Sequence, residues 1–266
     1  MLHENLTEGT SANLSLDDNT PSRLNDLGFL NGSTAIVFSH GTYFSAGDAL
    51  LLRSTKQFLS ITPESEHHYG HGQTVSHLIQ DQAALGVDTH FTYSADIIGQ
   101  ARLWLQRARL IFYDQVRANW EIPRNNPMSA NQAFLLSTRA GAQALRRPDL
   151  GVLVEGATAD IVVFDGDTPN LLGWSDPVAA VVLHSNVGDV RHVIVDGEFR
   201  KKDGKLVPLK GGDLKDFQAK FLESTKRIQD IWAKTPLPVY PAEFSPGIFY
   251  GQAVTVDAQS GPGTGY

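Results

Sequence analysis

The chain has 266 residues, enough for one large domain or two small ones with a buried core, and its 41% hydrophobic and 19% charged residues are the balance of a globular protein. Acids and bases are interspersed to a formal charge of -7, with no basic stripe for nucleic acid and no basic amphipathic helix for a membrane surface. With 0 cysteines there is no disulfide framework, thiolate metal site or cysteine nucleophile. The polar start MLHENLTEGTSANLSLDDNT has no signal-peptide pattern and no apolar run approaches the roughly 20 residues of a membrane span, so a cytoplasmic protein is expected.

Residues 1–20, rich in Asn, Ser, Thr and Asp, have no periodicity and read as a loop or disordered arm. Residues 21–30 open on Pro21 and space Leu24, Leu27 and Leu30 as a short helix, with Gly28 near its end. The run from Ala35 to His40 is apolar and rich in β-branched residues, which predicts a strand buried on both faces, as in a parallel sheet. A helix follows over 45–55, with Ser45 as N-cap and Asp48 three residues on. Residues 57–61 read as a second strand, 62–72 as a polar stretch, and 83–87 as a third strand ending on Asp88. The long helix predicted over 94–118 has Ser94 as its cap and Ile97, Ile98, Ala101, Leu105 and Ala108 on one face. Another, over 129–145, opens with the capping box of Ser129 and Gln132. Alternating strands and helices over 21–147 predict an α/β body with a parallel sheet.

The pattern changes near Pro148. Residues 148–210 hold short β-rich runs, Ala159–Asp165, Ala179–His184 and His192–Val195, before the turn Asp196-Gly197, and read as a small β domain. Residues 211–266 read as an amphipathic helix over 212–233, carrying Phe217, Phe221 and Trp232, and an irregular tail from Pro236.

In α/β barrels functional groups sit at the C-terminal ends of strands. His40 and Asp88 both occupy such positions. A carboxylate can ligate a metal and take a proton from water, while an imidazole can orient water or polarise a substrate, so the pair suits metal-assisted hydrolysis. On spacing alone, two strand-end polar groups with structural partners explain the same pattern. The segment from Glu64 to His71 is dense in acids and imidazoles and reads either as a substrate or metal loop or as a solvated connection; Glu64 and His71 are its candidate substrate contacts. It has no H-E-x-x-H spacing, Gly70-His71-Gly72 lacks the lysine and hydroxyl of a phosphate loop, and no serine sits in a G-x-S-x-G elbow. His77, His184 and His192 are expected to be structural.

The ordered segments FSHGTYFSAGDALLL, ITPESE, YGHG, ALGVDTHFTYSADIIGQARLWLQ, AFLLSTRAGAQAL, GVLVEGATADIVVFD and VRHVIVDGEFRKKDGKL together resemble the amidohydrolase superfamily, in its cytosine-deaminase-like and chlorohydrolase-like branch, from about residue 21 to residue 207. The resemblance implies a TIM barrel bearing one divalent metal, zinc or iron, with a small β-sandwich built from both chain ends. It matches His40 to the histidine of barrel strand six, and Asp88 to the strand-eight aspartate that touches the metal and activates water. It matches Ala159-Asp160-Ile161-Val162-Val163 to the strand entering the sandwich. The chain is thus expected to be the C-terminal portion of the barrel, about strands six to eight, with part of the sandwich. The family's strand-one H-x-H pair has no counterpart before residue 40; His3 falls near the family's strand-five histidine, and Glu4 or Glu8 near the acid that follows it. The function implied is hydrolysis of carbon–nitrogen bonds other than peptide bonds, in a small, for example heterocyclic, substrate, by metal-activated water. The alternative is a catalytically inactive fragment or pseudoenzyme lacking the N-terminal metal ligands. In either case, open barrel edges are expected to promote self-association.

Overall fold

Three short parallel strands carry the candidate residues at their C-terminal ends. In the computed structural model, which describes residues 20–256 apart from 31–32, 73–74, 91, 210–211, 242, 246–247 and 255, these are β1 (Val37–Ser39), β2 (Phe58–Ile61) and β3 (Ala83–Leu85), in the order β1-β2-β3. Val37 lies opposite Phe58, and Leu59 opposite Ala83. The expectation that the first strand is buried on both faces is corrected. Phe38 is 7% exposed and packs into the core, whereas Val37 on the opposite face is 41% exposed. Successive side chains point to opposite faces of a strand, and here the helices cover one of them. Leu59 and Ile61 are fully buried in the same cluster as Leu52, Ile79, Trp104 and Leu105.

The helices start where the sequence supplies caps. Helix α1 (Pro21–Asp26) has Thr20 as N-cap and Pro21 in its first turn. Helix α2 (Ala46–Thr55) opens on the expected reciprocal pair: Asp48 N donates to Ser45 Oγ at 3.2 Å and Ser45 N to Asp48 Oδ2 at 2.7 Å. The other oxygen of buried Asp48 accepts from Ser22 N and Oγ at 2.9 and 2.6 Å, so one carboxylate both caps α2 and ties α1 to it. The polar stretch after β2 contains a further helix, α3 (Pro63–His68), with proline in its first turn.

Helix α4 (Ile97–Ala118) is capped by Asp96, which accepts from Ile98 N and Gly99 N at 3.1 Å each, and not by Ser94. Its buried face is Gln100, Ala101, Trp104, Leu105 and Ala108, so the predicted stripe holds at three positions while Ile97 and Ile98 lie half-buried at its start. The single helix expected over 129–145 is two: α5 (Ala130–Ser137), opened by the Ser129–Gln132 box, and α6 (Arg139–Ala144). The break falls at Thr138, where Ser137 Oγ donates to Ala133 O at 2.7 Å and Thr138 Oγ1 to Phe134 O at 2.8 Å. Such hydroxyl back-bonds compete with the helical ladder and bend it.

A second sheet runs antiparallel in chain order through β4 (Ile161–Phe164), β5 (Val190–Val195), β6 (Glu198–Lys202) and β7 (Lys205–Leu206). Asp196 and Gly197 join β5 to β6 with φ of 51° and 77°, the left-handed pair that a two-residue hairpin turn demands. The β-run expected over Ala179–His184 is instead helix α7 (Pro177–His184). Asp176 accepts from Val178 N and Ala179 N at 2.9 and 3.0 Å and Pro177 occupies the first turn, a start signal that outweighs the β-branched Val181 and Val182. Buried Val182 joins the core, and Arg102 of α4 donates to Val182 O and Ser185 O at 2.9 and 2.6 Å.

Asn19–Ala219 form one compact unit, and the chain from Lys220 belongs to a second. Helix α8 (Leu214–Lys234) buries none of its residues. The tail beyond Pro236, expected to be irregular, holds the short antiparallel pair β8 (Glu243–Ser245) and β9 (Ile248–Phe249). Among the described residues no helix is long and apolar enough to cross a membrane.

Candidate active site

The site is built from three consecutive strand ends. His40 follows β1, the helix α3 follows β2, and Asp88 follows β3 after Leu85-Gly86-Val87. Both His40 and Asp88 hold left-handed backbone, with φ of 67° and 69°. Such angles in non-glycine residues are uncommon and cost about 1 kcal/mol or more unless the surroundings hold them. Among the described residues, the other non-glycine residues with positive φ lie after helices, as at Lys56, Trp120 and Arg146, or in hairpin turns, as at Asp196 and Asp203. His40 and Asp88 are set apart by their place at the mouth of a parallel sheet.

Helix α3 links the two. Consecutive helical residues point about 100° apart, and Ser65 and Glu66 use this to reach the neighbours on either side of β2. Ser65 Oγ donates to Asp88 Oδ2 at 2.5 Å. Glu66 Oε1 lies 3.4 Å from His40 Nδ1 and accepts from Thr62 N at 2.8 Å. The Thr62 hydroxyl sits between them, 2.9 Å from His40 Nδ1 and 3.4 Å from Glu66 Oε1. Thr62, Ser65 and Glu66 are buried, the last two completely. The carboxylate of Glu66, by hydrogen bond and by charge, raises the His40 pKa above the usual 6.5; burial opposes this, and Asp88 reinforces it.

The two candidate substrate contacts differ. The ring of His71 stacks on that of His40, with centroids 5.1 Å apart and planes 18° from parallel. Tyr69, His68 and Tyr93 extend this wall of rings by edge contacts, and Tyr69 Oη lies 2.9 Å from Thr92 Oγ1. Glu64 is braced: its N–H donates to Gln100 Oε1 at 3.0 Å, and fully buried Gln100 donates from Nε2 to Glu64 Oε2 at 2.9 Å. His77 lies elsewhere, in a short 3-10 turn over Ser76–Leu78, its pKa lowered by burial and by Arg107. His184 ends α7, and His192 lies on β5. His3, Glu4 and Glu8 lie outside the described residues.

Sequence reasoning missed Thr62, Ser65, Glu66 and Gln100. A signal for two of them existed: Thr62-Pro63 followed by Glu66 places an N-terminal proline and a four-residue spacing in one helical turn.

A catalytic zinc takes three protein ligands and a water. Among the described residues no group of three or more His, Cys, Asp or Glu side chains is placed to hold a metal ion. Asp88 fits one such ligand, with one carboxylate oxygen bonded to Ser65, but the described residues do not make a complete metal centre.

The profile of the amidohydrolase family matches residues 4–200. The 5'-deoxyadenosine deaminase of Methanococcus aeolicus is 26% identical over 77% of this chain and 47% of that protein. The 5-methylthioadenosine/S-adenosylhomocysteine deaminase of Pyrococcus abyssi is 28% identical over 75% of this chain and 44% of its own length. The chain thus spans about half the length of the curated relatives it matches. In fold, it is similar to a zinc-bound adenosine deaminase from Xanthomonas campestris, with a TM-score of 0.69 at 19% identity, over 84% of this chain and 49% of the other. It is also similar to the zinc complex of atrazine chlorohydrolase from Arthrobacter aurescens, with a TM-score of 0.65 at 21% identity, over 79% and 45% of the two chains. At these identities the structures share architecture only, of the α/β barrel class. The family profile runs from before the parallel strands as far as β6, and the chain belongs to the amidohydrolase family.

Proposed function

We propose that His40, Asp88 and the α3 residues between them are the acid–base side of an active site that hydrolyses a carbon–nitrogen bond, other than a peptide bond, in a small heterocyclic substrate. The observation that carries this reading is the pairing of two left-handed residues, an imidazole and a carboxylate, across one strand at the C-terminal mouth of a parallel sheet. The deaminases among the relatives favour loss of an amino group. We read β1–β3 as barrel strands six to eight and β4–β7 as part of the sandwich.

In this reading, Asp88 takes the proton from an attacking water as its oxygen bonds to an sp² ring carbon. The imidazolium of His40 donates from Nε2 to the charge that develops on the substrate. The proton then passes to the leaving nitrogen, the carbon–nitrogen bond breaks, and ammonia departs. Raising the pKa of His40 increases the share of the donor form at a given pH. Asp88, with one carboxylate oxygen bonded to Ser65, is also our candidate for one ligand of a zinc or iron ion. His71, stacked on His40, and Glu64, braced by Gln100, are assigned to the substrate side.

Ammonia release from a panel of purine and pyrimidine bases and nucleosides, with zinc or iron in excess, tests the proposal. We expect turnover that is lost when His40 is replaced by Asn, a residue that tolerates the left-handed backbone. Turnover unaffected by His40→Asn would remove the imidazole from the reaction.

A further inference from the structure

Glu66 is a carboxylate with no exposed surface, close to the reacting groups but too deeply buried to touch a substrate. Its geometry fixes where protons lie. A carboxylate only accepts hydrogen bonds, and a threonine hydroxyl has a single proton to give. With Glu66 Oε1 at 3.4 Å, the Thr62 proton points to Glu66, and the Thr62 oxygen turns its lone pair to His40 Nδ1 at 2.9 Å. In that arrangement Nδ1 is the donor and carries a hydrogen. The direct approach of Glu66 Oε1 to Nδ1, at 3.4 Å, demands the same.

We propose that Glu66 is a positioning residue that, directly and through Thr62, holds the proton of His40 on Nδ1 and so presents Nε2 to the substrate. The consequence rests on the functional reading above, but the proton assignment does not. The other groups facing His40 are the stacked ring of His71 and the charge of Asp88. Neither is hydrogen-bonded to Nδ1: Asp88 follows the end of β3, across β2 from His40, with one oxygen bonded to Ser65. Glu66 is itself placed by the first turn of α3, where the Thr62 N–H donates to the same oxygen at 2.8 Å. One carboxylate oxygen therefore sets the start of the helix and the polarity of the relay.

Nitrogen-15 NMR of the histidine-labelled full chain, at a pH where His40 is neutral and with its signals assigned by their loss in His40→Asn, reads the tautomer. We expect the wild type to show Nδ1 protonated and Nε2 bare. Free neutral imidazole side chains favour the opposite tautomer. In Glu66→Gln the amide can either donate or accept, so the relay loses its direction and a protonated Nε2 becomes populated. Thr62→Val removes the bridge but leaves the direct 3.4 Å approach of Glu66, so a smaller share of protonated Nε2 is expected, whereas Thr62→Ser keeps the hydroxyl and the wild-type signature. A wild type with Nε2 protonated, or a Glu66→Gln variant with unchanged signals, would overturn the assignment. Turnover separates this from the functional reading. A tautomer change that lowers kcat about 10²-fold with little change in KM supports both claims. A tautomer change with unaltered turnover leaves Glu66 as the residue that sets the proton and removes His40 from the reaction.

Discussion

The imidazole of His40 lies within the field of two carboxylates, and its charge depends on them. Glu66 raises its pKa above 6.5 in the folded chain, with Asp88 adding to the effect and burial subtracting from it. A group whose pKa rises on folding contributes stability that is fully present below its unfolded value and fades as the pH climbs through the folded one. The urea midpoint of the wild type should therefore fall as the pH is raised from about 6 through the His40 transition, and His40→Asn should flatten that part of the profile. A midpoint that rises over the same window would mean that Glu66 is not acting on His40 as a charge. Two glycines separate stability from chemistry. Gly41 has φ of 63°, and an added Cβ would stand 3.0 Å from Leu59 Cδ1 and 3.2 Å from Phe44 Cδ2, so Gly41→Ala should cost about 2 kcal/mol in equilibrium unfolding. A Cβ on Gly86 would instead meet Ser60 Oγ at 2.8 Å and Thr62 Cγ2 at 3.1 Å. Ser60 can rotate, but Thr62 holds His40, so Gly86→Ala should disturb the His40 NMR signals more than it lowers the unfolding midpoint. Of these residues the strand-end placement of His40 and Asp88 was legible from the sequence, because each ends an apolar run. Glu66 was not, because burial of a glutamate has no local signature and here depends on a strand 22 or more positions away in the chain.

At the scale of elements, caps decided more than composition. Ser45 with Asp48 and Ser129 with Gln132 announced the starts of α2 and α5, and both boxes form. The same reading, applied to Asp176-Pro177, would have made α7 a helix; the weight given to β-branched residues hid it. Thr138 divides α5 from α6 through two hydroxyl bonds to the backbone, which periodicity does not register. The Asp48 carboxylate offers a test at this scale. Ser45→Ala removes the two hydrogen bonds of the cap hydroxyl and should cost about 1 kcal/mol. Asp48→Ala also frees Ser22 from its bond to α2, so its cost should exceed that of Ser45→Ala when the two are compared by urea denaturation. Equal costs would show that the link from α1 to α2 contributes nothing.

For the whole molecule, the parallel sheet has three strands, and among the described residues β1 pairs only with β2. Its outer edge contains neither a charge nor a proline, and Val37 is exposed beside it. Unpaired apolar edges template association, so we propose that the chain self-associates at micromolar concentration, as light scattering behind size-exclusion chromatography would reveal; a monodisperse monomer would refute this. The α/β class and the parallel order followed from strands alternating with helices. The geometry of the mouth did not, since it depends on α3, which the polar composition of residues 62–72 concealed. Whether Asp88 and His40 belong to one hydrolytic site is open to test by a single substitution. Ammonia release should be measured for the wild type and for Asp88→Asn, with metal in excess and circular dichroism as the control for folding. An amide can still accept the Ser65 hydrogen bond, but it cannot take a proton from water at neutral pH. We expect turnover in the wild type and its loss, by about 10³-fold or more, in an equally folded variant. Turnover that persists in Asp88→Asn would contradict it and move the chemistry away from the mouth of this sheet.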